Sequence, residues 1–70
     1  MLDTAVFCQN IKRLREKNRL SKQQMARILH IGTKSLTMLE NGTIPPRMDV
    51  AVLIYISEHF DVRPDMLFLP

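Results

Sequence analysis

The 70-residue sequence is poor in the features that mark enzymes, metal centres, secreted scaffolds and membrane spans. It holds one cysteine, two histidines and two glycines. A single cysteine, Cys8, excludes an internal disulfide and suits a reducing compartment. Its plain reading is a small apolar residue on a helix face. Two separated histidines, His30 and His59, with no cysteine cluster give no metal-ligand pattern and read as structural or surface residues. Two isolated glycines make no phosphate-cradling loop. No nucleophile, base and orienting group recur in a usable arrangement, so no enzyme activity, cofactor, metal or small-molecule ligand is expected. No run approaches the ~18 apolar residues of a membrane span. Residues 1–11 contain Asp3 and lack a basic start, so no secretory signal is expected and the expected location is cytoplasmic. There is no repeat, no low-complexity tract and no strand-like alternation of apolar and polar residues.

What is present is an apolar fraction of 46% in a chain long enough for one domain over residues 1–70. The net charge of +3 hides a division. Residues 1–47 hold nine Lys/Arg against three Asp/Glu, whereas residues 48–70 hold one Arg against four acids. The first part attracts a polyanion and the second does not. A solvated basic surface without a partner would show the same split.

Gly32, Gly42, Pro45, Pro46 and Pro64 cut the chain into helix-sized pieces. The first piece runs from Asp3 or Thr4, either able to cap, to Lys17, with Phe7, Ile11 and Leu14 at core spacing. The second starts at Ser21, whose S-x-x-Q spacing to Gln24 is a capping box, and ends near His30 with Met25, Ala26 and Leu29 inward. The third runs from Gly32 to Gly42. At 100° per residue, Leu36 and Leu39 share one side; Lys34, Thr37, Met38 and Asn41 share the other, and Thr33 sits at the first turn. Glu40, its only acid, lies near the Leu36 side. The fourth piece, about Asp49 to His59, is apolar nearly all round. Its expected inward stripe is Val50, Leu53, Ser57 and Phe60, with Val52, Tyr55 and His59 facing the other way. A fifth helix is expected from Pro64, which suits a first helical position, with Asp65 favouring the same end.

Residues 21–42 thus form two short helices joined by a tight turn, locked by apolar residues at 25, 29, 31, 36 and 39. Such a pair lets its second helix enter a major groove. On Ile11–Arg15, Ser21–Leu29, Leu36–Gly42, Phe60–Val62 and Asp65–Leu67, the sequence resembles the Cro/C1-type (XRE-like, lambda-repressor-like) helix-turn-helix family. The resemblance covers nearly the whole chain and implies a compact all-α, five-helix DNA-binding domain. It implies that Thr33, Lys34, Thr37 and Met38 face base edges, and that Lys22, Asn41 and helix N-terminal amides hold phosphates. It also implies an Arg15–Glu40 ion pair, which would relieve a carboxylate turned towards the core.

The chain departs from the family pattern at several points. His30 stands where Gly is usual, Gly32 where Ser or Thr caps the recognition helix, and Met38 where polar residues are common. The Thr43–Asp49 loop is about two residues longer than usual, and Arg63 takes the cap position before the last helix. One recognition helix reads few base pairs, so a homodimer on a palindromic operator is expected. Val52, Tyr55, His59, Phe68 and Leu69 are its candidate interface, unless the last helix folds over that stripe within one chain. A repressor-like regulator, an antitoxin or restriction-controller type regulator, and an interaction module that kept the fold without binding DNA all remain open.

Overall fold

A computed structural model describes residues 4–46 and 48–70. In chain order it contains α1 (Thr4–Lys17), α2 (Lys22–Leu29), α3 (Thr33–Glu40), α4 (Ala51–Phe60) and a short 3-10 segment (Pro64–Phe68). The architecture is therefore all-α among the described residues, with four α-helices instead of five. The expected fifth helix fails for a physical reason. Pro64 starts it well, but only five residues follow the helical path before Leu69 turns extended, and so short a run favours the tighter 3-10 winding.

α1 follows its apolar spacing. Phe7, Cys8 and Ile11 are buried, and Leu14 packs against the same core. The chain then reverses through Arg19, which takes a left-handed φ of 55°. Thr4 is already helical, and Asp3, the other candidate cap, lies outside the described residues. α2 begins as its capping box requires. The Gln24 amide donates to Ser21 Oγ at 3.0 Å, and the Ser21 amide donates to Gln24 Oε1 at 2.8 Å. Two free first-turn donors are satisfied in one exchange, worth about 1 kcal/mol.

α2 and α3 pack across Met25, Ala26, Leu29, Leu36 and Leu39, each at most 3% exposed. Ala26 is small enough to let the two backbones approach. α3 stops at Asn41 and Gly42, whose φ of 91° suits a residue without a Cβ.

The faces of α4 differ from the expectation. Val52 and Ile56 are 2% and 0% exposed, whereas Val50 is 75% exposed and Ile54 55%. The inward face is thus centred on Val52 and Ile56, flanked by Leu53 and Phe60. A helix apolar on every side carries little periodic signal, so its orientation is decided by neighbours distant in sequence. α4 packs against α2 and the 3-10 segment, and that segment is in turn held by α1. Phe7 stacks on Phe68 with centroids 5.0 Å apart. Asn10 Nδ2 donates to the Leu67 and Leu69 carbonyls at 2.7 and 2.8 Å, fastening the C-terminal segment to α1.

Candidate nucleic-acid interface

The α2–α3 pair positions the candidate site. Lys22 is the first residue of α2, and Thr33 and Lys34 open α3; all three are exposed. Thr37 lies one turn after Thr33 and is half-buried. Asn41 is exposed at the far end of α3, where its backbone amide donates to the helix's last carbonyls. The structure therefore gathers Thr33, Lys34 and Thr37 along one strip, with Lys22 at the start of the preceding helix and Asn41 at the trailing end.

Met38 is placed differently from its neighbours. It is half-buried, and with Ile31 and Ser35 it lines a cavity of about 260 Å3 to which Pro45, Pro46 and Met48 also contribute. The three loop residues could not be found from helical spacing, because their place depends on how the loop returns alongside α3.

Residues 21–42 contain three basic side chains, Lys22, Arg27 and Lys34, and one acid, Glu40. The three cations are exposed. The Glu40 side chain is 3% exposed and faces Arg15, whose side chain is 15% exposed. Arg15 Nε donates to Glu40 Oε2 at 2.7 Å, Nη2 donates to Oε1 at 3.1 Å, and Nη1 donates to the Leu20 carbonyl at 3.2 Å. The hydrogen bond to Glu40 raises the Arg15 guanidinium further above its ordinary value, so it stays charged throughout the accessible pH range. This two-pronged pair hides the single carboxylate of α3 inside the domain and ties α1 to the C-terminal turn of α3. The outer face of α3 is left positive, with no acid to repel a phosphate.

The turn between the two helices runs through His30, the C-cap of α2, in a left-handed conformation with φ 58° and ψ 39°. The fold keeps the turn geometry that the family usually gives to glycine. His30 also gains something glycine lacks: its ring stacks on Tyr55 of α4, centroids 4.0 Å apart and planes 25° apart. The contact braces the helix-turn-helix against α4. α3 begins at Gly32 with no side-chain cap. Its first-turn amides are thus free of a side-chain partner, unlike those of α2.

The expected interface residues of the C-terminal third divide. Val52 is in the core and Tyr55 lies against His30; Phe68 is half-buried against Phe7. His59 and Leu69 are exposed. Val52 cannot contribute to a surface, and the correction follows from the true orientation of α4. The outward apolar residues there are Val50, at the cap position before α4, and Ile54, with Ile44 of the loop also exposed at 42%. Arg63, at the cap position of the 3-10 segment, supplies no cap; it pairs with Asp65 at 2.7 Å in full solvent, where such a pair contributes little.

No helix among the described residues is long and apolar enough to cross a membrane. No curated protein and no solved structure compared with the chain matches it. A helix-turn-helix domain family does match, over residues 8–69, which takes in all four helices from Cys8 onward and the 3-10 segment. The match spans the buried Arg15–Glu40 pair, the capped α2 and the exposed face of α3, and is of a DNA-binding regulator type that is generally not enzymatic. The chain belongs to this helix-turn-helix family, within the XRE/Cro-C1-like group.

Proposed function

We propose that the protein is a sequence-specific duplex DNA-binding regulator of repressor type, acting as a homodimer on a palindromic operator. The observation that carries this reading is the outer face of α3. It presents Thr33, Lys34 and Thr37, and its one carboxylate is withdrawn into a pair with Arg15. In this reading α3 lies in the major groove, Lys34 and Thr37 meet base edges, and Lys22 and Asn41 hold the backbone on either side. The uncapped amides that open α3 add a partial positive charge at the same end.

The homodimer follows from the small number of base pairs one α3 spans. Its surface, in this reading, is built from Val50 at the cap of α4, Ile54 of α4 and Ile44, supplemented by Leu69, all more than two-fifths exposed. Val52 has no part in it. The acidic balance of residues 48–70 leaves the basic part of each copy for DNA.

The test is affinity for a duplex selected from a random pool against affinity for unselected duplex, measured across salt. The selected duplex is expected to bind far more tightly, and both affinities fall with salt as phosphate contacts release counterions. Equal binding to the two would refute specificity and favour an interaction module. Sedimentation with the selected duplex is expected to show two protein chains per palindrome. A strict one-to-one complex at protein excess would refute the dimer.

A further inference from the structure

The cavity beside α3 is not absorbed by the general reading of a basic helix in a groove. Its volume is about 260 Å3, and its lining is Ile31, Ser35 and Met38 with Pro45, Pro46 and Met48 from the loop. Among the described lining residues Ser35 alone is polar. Met38 follows Lys34 by one turn and Ser35 by three residues, so it stands on the border between the exposed strip and the cavity. The notch is therefore continuous with the face assigned to DNA, and an apolar wall flanks a lysine there. In the major groove, base edges offer donors, acceptors and one apolar group, the C5-methyl of thymine.

We propose that this notch accepts the C5-methyl of a pyrimidine next to the base that Lys34 reads, making Met38 a specificity-determining residue. The inference rests on the DNA-binding reading above. Met38 and Pro46 offer apolar contact to the methyl, the cavity leaves room for it and the adjacent ring edge, and a cytosine in the same place lacks the group that makes this contact. Thymine and 5-methylcytosine carry the same methyl, so the chemistry admits both.

The experiment uses the full chain and its selected duplex, with each thymine replaced singly by uracil, which deletes the methyl and nothing else. With the wild type, one thymine in each half-site is expected to lose about fourfold in affinity on replacement, the equivalent of burying one methyl group at ~0.8 kcal/mol with 1.4 kcal/mol per decade. With Met38→Ala the same replacement is expected to have no effect, and Met38→Leu to restore it. Met38→Gln, equal in length and polar, carries the comparison if the alanine variant unfolds. Cytosine and 5-methylcytosine are then placed at the sensitive position. The methylated base is expected to bind more tightly than cytosine with the wild type but not with Met38→Ala. A preferred duplex with no uracil-sensitive position, or equal sensitivity in wild type and Met38→Ala, overturns the notch and leaves the DNA reading standing. Failure to select any preferred duplex overturns that reading and the notch with it.

Discussion

The α2–α3 pair and the C-terminal third are built by different means. In residues 21–42 three of the four helix ends have a local cause: a capping box at Ser21 and Gln24, a left-handed stop at His30, and a glycine at 42. Buried and exposed residues there alternate with helical period, and the polar side is also the candidate functional side. In residues 48–70 the local causes are few. Asp49 Oδ1 accepts from the Ala51 amide at 3.0 Å, and Pro64 opens the 3-10 segment. The rest is arranged by contacts from α1 and the α2–α3 turn: Phe7 on Phe68, Asn10 on two C-terminal carbonyls, His30 on Tyr55. A reading helix needs a fixed shape and a free polar face, which local rules supply. The supporting third needs apolar surface on several sides, which erases the pattern that would orient it.

The largest expected effect is where the α2–α3 pair meets α1. Arg15→Ala leaves the Glu40 carboxylate buried without its partner and is expected to cost about 3 kcal/mol or more, read as a lower urea midpoint with an unchanged slope. The Arg15→Ala, Glu40→Ala double variant is expected to lose less than the sum of the singles. Additive losses would show that the pair contributes no coupling and that α3 is held by apolar packing alone.

Next comes the orientation of α4. Ile56→Ala is expected to cost about 2–4 kcal/mol, since Ile56 is fully buried and leaves a cavity. Ile54→Ala, two residues earlier and 55% exposed, is expected to stay within about 0.5 kcal/mol in the monomer. Thermal unfolding at low protein concentration compares them directly. A reversed order would place Ile54 inward and return Val52 to the surface.

A smaller effect separates strain from contact at His30. His30→Ala keeps the left-handed strain and loses the Tyr55 stack, an expected cost of about 1 kcal/mol. His30→Gly loses the stack but relieves strain of similar size, so its net change is expected near zero. If His30→Ala were as stable as the wild type, the ring contact would contribute nothing to the brace between the turn and α4.

The smallest is at the start of α3. Gly32 has an extended backbone and open space around its Cβ position. Gly32→Ser is expected to add the missing cap and stabilise by a few tenths of a kcal/mol, visible as a small rise in Tm. A fall in Tm would mean that the serine side chain disturbs the turn.

These comparisons also mark what could be read from sequence. The three helices through Gly42, the turn at His30 and the Arg15–Glu40 pair were legible, because caps, spacing and resemblance all pointed one way. The buried side of α4 was not. Val50, Val52, Leu53, Ile54 and Ile56 are interchangeable to a hydrophobic pattern, and the choice among them belongs to α2 with its His30 cap and to the C-terminal segment, which pack against α4. The 3-10 winding after Pro64 was missed because proline and an aspartate in the first turn fit either helix. The Asn10 clamp joins residues 57 and 59 positions apart, a separation that carries no local signal. Of the candidate site, the strip on α3 was visible by periodicity, whereas the cavity beside Met38 required knowing where the Pro45–Pro46 loop returns.

The central claim is that the outer face of α3 reads base sequence while Lys22 only holds the backbone. The most direct measurement is selection from a random duplex pool, run in parallel with wild type, Lys34→Ala and Lys22→Ala. The wild type is expected to enrich a two-fold symmetric sequence. Lys34→Ala is expected to lose preference at one base pair in each half and to bind the wild-type site less tightly by about 1–3 kcal/mol. Lys22→Ala is expected to enrich the same sequence with weaker binding to every duplex. Recovery of the same sequence at the same affinity by Lys34→Ala would contradict the account, because α3 would then not be the element that reads DNA.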